Sequence, residues 1–173
     1  VFAGVISGQQ AAAYAAANAQ QPVDDSQVAQ LKEDAFAPLF REEGVKAKEV
    51  IDKIQQLVCP VENSVYMSQH RLDVCLRKLA KIKPMVAQLK AEDFHDLLAC
   101  HEAEAMVLSA EMQFRGASMR KESRGWFLRE DYPQMDNDNW LKWIVCENKD
   151  GEMEFSTEDV PIEIYQVQPP RFH

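Results

Sequence analysis

No stretch of this chain is apolar over anything near the roughly 20 consecutive residues that a membrane helix needs, so direct membrane insertion is not expected. None of its six glycines belongs to a phosphate-cradling loop, and there is no Gly-x-Ser-x-Gly elbow. Cys59, Cys75, Cys100 and Cys146 are widely spaced and form no CxxC pair, and no obvious base lies beside any of them in sequence. That spacing argues against a zinc site or a disulfide framework and fits reduced thiols in a cytoplasmic protein. A basic segment leading to a cleavage site is also missing, which argues against a signal peptide. Net positive charge is absent as well. At −9, the chain disfavours nonspecific contact with nucleic acid or an anionic membrane.

What is present is a globular balance of 46% hydrophobic and 27% charged residues over 173 positions, enough for one domain with a real core. The chain opens on Val-Phe-Ala-Gly, which reads as a start inside a longer polypeptide.

Residues 1–20 hold Gly4, Gly8 and a run of alanines, small side chains with high helix propensity that let other backbones approach closely. Residues 21–25 form a linker around Pro22, and Ser26 is the expected N-cap of the next helix. Val45 to Leu57 is expected as a short helix, with Val50, Ile51, Ile54 and Leu57 three and four apart. Glu62 to Leu89 is expected as a long helix that Pro84 kinks or restarts. Glu92 to Met119 is a second long helix, its apolar stripe running through Phe94, Leu97, Leu98, His101, Ala105, Leu108, Met112 and Met119. The expected fold is therefore mainly α: a three-helix bundle, spectrin-repeat-like in outline. Trp140 to Glu147 and Glu152 to Ser156 then make a β-hairpin around Lys149-Asp150-Gly151, followed by an extended tail through Ile162, Tyr165, Pro169 and Pro170. No internal repeat is visible.

Few residues suggest chemistry. Glu92 and His95 match half of a di-iron motif, but a second copy and two further glutamates are missing, so no metal site is expected. His101-Glu102 lacks the second histidine of a zinc-protease helix, and His101 is expected as a hydrogen-bonded histidine in the core or at an interface. His70 and His173 carry no pattern. No catalytic residue is assigned. The densest feature is Arg120 to Lys142, where charges of both signs follow the end of a long helix. Basic residues suit a helix C-terminus, but that does not explain Arg124-Gly125 followed at once by Trp126, Phe127 and Leu128. A guanidinium beside buried aromatics is usually held by carboxylates or carbonyls. Arg120, Glu122, Arg124, Gly125, Arg129, Asp131 and Trp140 are therefore expected to form an interdomain latch.

The same stretch resembles a known family. Met119-Arg-Lys-Glu-Ser-Arg-Gly125, Arg129-Glu-Asp-Tyr-Pro133 and Asp138-Asn-Trp-Leu-Lys142 follow the order and spacing of the C-terminal region of succinate dehydrogenase and fumarate reductase flavoproteins, the family of L-aspartate oxidase and the adenylylsulfate reductase α-subunit. Where many succinate dehydrogenases have Gly-Ala-His, this chain has Gly125-Trp126-Phe127. The helices match in layout. Val5-Ile-Ser-Gly8 and the following alanines resemble the last helix of that family's FAD-binding domain, with Ser7 at a position usually held by Phe.

The resemblance implies three parts. Residues 1–20 end an upstream FAD-binding domain, with Val1 and Phe2 lining the flavin-proximal helix start. Residues 21–125 form the helical bundle, and 126–173 a loop, hairpin and tail packed on it. It implies an inactive fragment of an FAD-dependent oxidoreductase, with FAD held by the full-length protein and none by these residues. It also implies that the catalytic groups lie upstream, that the partners are the FAD-binding and capping domains of the same polypeptide and an iron–sulfur subunit, and that the setting is the cytoplasm or the cytoplasmic side of a membrane complex. Two alternatives stand beside it: an independent, non-enzymatic helical interaction module, and the same domain from an adenylylsulfate reductase-type α-subunit.

Overall fold

The computed structural model describes residues 2–20 and 22–167, so Val1 and the Pro169–Pro170 part of the expected tail lie outside the described residues. Residues 1–37 and 38–173 separate into two units. In the first, helix α1 (Phe2–Ala17) is exposed along its whole length, as its alanine-rich sequence allows. Helix α2 (Asp25–Phe36) is capped by Asp24, whose carboxylate accepts the amides of Ser26 and Gln27. The cap is therefore Asp24 and not Ser26. A carboxylate two residues before that amide reaches it directly, and the Ser26 hydroxyl instead donates to the same Asp24 oxygen.

The second unit holds the bundle. Strand β1 (Val45–Lys46) precedes helix α3 (Ala47–Val58), and a single-turn helix α4 (Val61–Ser64) leads through strand β2 (Tyr66–Met67) into helix α5 (Gln69–Val86). Strand β3 (Leu89–Lys90) comes before the longest helix, α6 (Phe94–Met119). Helices α3, α5 and α6 pack against one another, which is the expected three-helix bundle. Val50 and Ile54 of α3, Leu72 and Leu79 of α5, and Val107 and Phe114 of α6 meet in its core.

Two expected helix boundaries were displaced by strand pairing. Val45 and Lys46 are extended because they pair in parallel with Leu89 and Lys90. Residues 62–89 do not form one helix, because Tyr66 and Met67 pair in parallel with strand β4 (Leu128–Arg129), more than 60 residues away. Pro84 does not restart α5, which runs on to Val86: the missing N–H forfeits only the bond to the carbonyl four residues back, and just two helical residues follow it.

Most of the stripe expected on α6 faces away from the core. Leu97 is buried as expected, together with Cys100, Ala103, Val107, Ala110, Phe114 and Ala117, whereas Phe94, Leu98, Leu108 and Met112 are exposed. His101 is partly buried, 3.6 Å from Glu104, and is not a core histidine. Small residues on the buried face carry a weak hydrophobic signal, yet they let α6 approach its neighbours closely.

Beyond a short helix α7 (Asn137–Trp140), strands β5 (Lys142–Lys149) and β6 (Glu152–Asp159) form the expected antiparallel hairpin. Its two-residue turn, Asp150-Gly151, has positive φ at both positions (54° and 88°), the geometry that matches strand twist. Phe155 rests against Gly116 of α6, under the guanidinium of Arg115. Trp143 faces outward and is half exposed, so Ile144 and Phe155 supply the inner face. The segment after the hairpin is not fully extended, because Ile162–Ile164 forms a 3-10 turn closed by Tyr165 N–H donating to Ile162 C=O.

Candidate functional site

The chain turns sharply at the C-terminal end of α6, and charge fills the corner. Arg129, on β4, is 1% exposed, and all five of its N–H donors are satisfied. Nε and Nη2 donate to the two oxygens of Asp131, each at 2.8 Å. Nη1 donates to the carbonyls of Ala117 (2.7 Å) and Arg120 (2.9 Å), and Nη2 also donates to Gln69 Oε1 at 3.2 Å. A cation is thus placed on the last carbonyls of α6, where the helix dipole favours it. Tyr132 stacks on the guanidinium, 5.1 Å away.

Glu122 is the second centre and is fully buried. Arg120 Nη1 and Arg124 Nε donate to Oε1, while Arg124 Nη2 and the Asp136 amide donate to Oε2, the last three at 2.9 Å. Burial raises the Glu122 pKa, but the hydrogen bonds from Arg124, the Asp136 amide and Arg120, with the charge of Arg124, outweigh it and hold the carboxyl below its ordinary value. For Asp131 the Arg129 fork dominates and lowers the pKa to about 2.

Arg120 carries the network to the hairpin. It donates to the carbonyls of Trp140 (2.9 Å) and Lys142 (2.7 Å) and lies over the Trp140 ring at 5.5 Å. Arg124 Nη2 donates to Asn137 Oδ1 at 2.8 Å. Gly125, with φ of 58°, starts the two-residue tip of a tight turn in which Arg124 and Phe127 exchange backbone hydrogen bonds. Trp126 at that tip is 89% exposed.

Six of the seven expected latch residues therefore lie in one connected network, and Gly125 shapes the turn beside it. Sequence reasoning missed Gln69, Ser123 and Asn137. Ser123 Oγ accepts from the Arg129 amide (2.8 Å) and donates to the Tyr132 carbonyl (2.9 Å). The Glu-Ser-Arg run signalled Ser123, but Gln69 reaches the corner from the start of α5, and no local pattern could have found it. Phe2 is exposed at the start of α1, and Val1 is outside the described residues.

The corner has structural chemistry, because each of its buried charges is committed to internal bonds. An apolar groove of about 470 Å³ lies beside it, lined by Met67, Met112, Phe127, Ile144 and Phe155. A separate cleft of about 780 Å³ lies at the start of α3 and α6. Its lysines are engaged: Lys48 with Asp52 at 2.8 Å, and Lys90 with the Glu42 carbonyl at 2.7 Å. His95 lines this cleft. Among the described residues no three His, Cys, Asp or Glu side chains converge as metal ligands, and no helix is long and apolar enough to cross a membrane.

Comparison with known proteins covers nearly the whole chain. A family model described as the C-terminal part of fumarate reductase flavoprotein matches residues 48–172. An uncharacterized FAD-dependent oxidoreductase of Methanocaldococcus jannaschii is 30% identical over 86 residues, which are 50% of this chain and 16% of that protein. Adenylylsulfate reductase of Archaeoglobus fulgidus shares the fold with a TM-score of 0.72 and 24% identity, over 88% of this chain and 27% of its own. For E. coli quinol fumarate reductase the TM-score is 0.75 at 22% identity, over 92% and 28%. For the Mycobacterium smegmatis Sdh1 complex it is 0.76 at 24%, over 87% and 27%. The chain spans about a sixth of the matched oxidoreductase and about a quarter of each structural relative.

Proposed function

The chain belongs to the fumarate reductase flavoprotein C-terminal family, and on that premise we propose that it is the C-terminal helical cap of a larger FAD-dependent oxidoreductase. In this reading residues 1–20 end the upstream FAD-binding domain, 21–125 form the bundle, and 126–173 pack on it. The observation that carries the structural role is the Glu122–Arg129 corner, in which buried charges hold helix ends and the hairpin start rather than facing a substrate.

FAD would supply hydride transfer with a dicarboxylate-like substrate, and electrons would be exchanged through a partner iron–sulfur subunit. What these residues can offer the flavin is the start of α1. Its first turn carries no acidic side chain, so its free amides present an uncompensated partial positive charge. In this reading the parent enzyme works in the cytoplasm or on the cytoplasmic side of a membrane complex.

The decisive experiment uses the complete polypeptide. Arg124→Ala is expected to lower flavin retention and thermal stability while leaving KM unchanged. Lost turnover in a stable, fully flavinated variant would show that Arg124 serves the reaction and not the latch. The residues encoded just before Val1 give a second test: a flavin-contact motif supports the cap, and a start codon supports an independent module.

A further inference from the structure

The outward face of α6 is more apolar than a solvent face needs to be. Phe94, Leu98, His101, Ala105, Leu108 and Met112 recur at spacings of four and three, the heptad pattern of a helix-pairing seam. Phe94, Leu98 and Leu108 are 73%, 57% and 53% exposed. The opposite heptad, through Ala103 and Phe114, already fills the bundle core. At about 1.5 Å per residue, the open seam runs for about 27 Å.

Between Phe94 and Met112 the helix contains no Lys or Arg, so the borders that α6 itself supplies there are acidic, and Lys83 and Arg115 stand only at the C-terminal end, beside Glu111. Glu102 stands on one side of the seam and Glu104 on the other, both exposed. Glu111, farther along, is already engaged by Lys83 at 2.6 Å and Arg115 at 3.5 Å. A second copy of this chain would set glutamate against glutamate with no cation on this stretch of helix to answer, which disfavours self-pairing.

We propose that the seam receives an amphipathic helix from the upstream part of the same polypeptide, apolar along its contact stripe and lined with Lys or Arg on both borders. That helix makes the bundle four-stranded. The proposal rests on the flavoprotein cap reading, in which the matched chains are three to four times as long as this one. An exposed apolar stripe of this length marks an interaction site rather than a solvent face.

The test is thiol labelling of the complete, FAD-loaded polypeptide. Cys59 and Cys146, the exposed native thiols, are first replaced by Ser. Leu98→Cys and Leu108→Cys are then labelled separately with a maleimide. Both positions are exposed here, so the substitutions leave the bundle core untouched. Labelling in the native protein should be more than tenfold slower than in urea, at any protein concentration. Adding Glu102→Lys and Glu104→Lys should return most of that reactivity. The proposal is overturned if the FAD-loaded protein labels within about twofold of the unfolded rate. It is equally overturned if protection depends on protein concentration or on an added subunit, or if the charge reversals change nothing. A complete polypeptide that binds no FAD would sink the flavoprotein reading instead, and its labelling rates would still judge the seam.

Discussion

Asp131 caps a helix that begins 62 residues before it: its Oδ2 accepts the Gln69 amide at 2.9 Å. Ser68, the local N-cap residue of α5, makes no side-chain capping bond, so the cap is supplied across the fold. The same carboxylate grips the Nε–Nη2 edge of the Arg129 guanidinium. One side chain thus fixes the start of α5 and, through Arg129, the end of α6.

The Asp131 pKa falls from 3.8 to about 2, led by the Arg129 hydrogen bonds. A depressed folded-state pKa adds stability that is complete above the unfolded value and is lost as pH falls through the folded one. That contribution is about 2 kcal/mol. Asp131→Asn should cost about 2–4 kcal/mol near pH 7, because Arg129 remains buried without its anion. In urea titrations the gap between wild type and variant should hold above about pH 4 and shrink as pH falls toward 2. A gap that stays constant down to pH 2 would show that Asp131 acts by shape alone.

Glu122 and Arg124 should differ in weight although they bond to each other. Glu122→Gln keeps the side chain's size but leaves the Arg120 and Arg124 guanidiniums around a neutral amide, at a cost of about 3 kcal/mol. Arg124 is about one-third exposed, and without it Glu122 keeps Arg120 and the Asp136 amide. Arg124→Ala should therefore cost only about 1–2 kcal/mol. Denaturant midpoints at pH 7 decide the order, and a larger loss for Arg124→Ala would place the centre of the corner on the arginine.

How much of this was legible in the sequence follows from the range of each interaction. The three bundle helices, the Asp150-Gly151 turn and the charged corner were readable because their signals are local: 3.6-residue periodicity, a turn dipeptide, a cluster of arginines and carboxylates within 12 residues. The parallel strand pairs were not, since Val45 learns its extended conformation from Leu89, and Tyr66 learns it from Leu128. Gln69 was invisible as a partner of Arg129 for the same reason. The α6 error has a different cause. The helix carries two heptads, and the outer one drew the reading, because small residues (Cys100, Ala103, Ala110 and Ala117) dilute the signal of Leu97, Val107 and Phe114 on the buried one.

Two truncations separate those faces. Phe114 is fully buried, so Phe114→Ala should cost about 3–5 kcal/mol. Leu108 is exposed, and Leu108→Ala should change the stability of this chain by less than about 0.5 kcal/mol. In the complete polypeptide, where the outer seam is covered, the Leu108 cost should rise above about 1 kcal/mol. Equal costs in both forms, from urea unfolding, would mean that nothing sits on that face.

Gly44 and Gly125 make opposite demands on the backbone, and alanine distinguishes them. A Cβ at Gly44 would lie 2.4 Å from the Gln88 carbonyl oxygen and 2.9 Å from Lys90 Cβ. That carbonyl accepts the Val45 amide at 2.8 Å, so relieving the clash pulls β1 away from β3. Gly44→Ala should cost about 2–3 kcal/mol and speed hydrogen exchange at the Val45 amide. At Gly125 there is open space for a Cβ, and the penalty comes only from φ of 58°. Gly125→Ala should cost about 1 kcal/mol and leave exchange at Val45 unchanged. If Gly44→Ala were the milder of the two in denaturant titrations, close approach of β1 to β3 would not be what selects glycine at position 44.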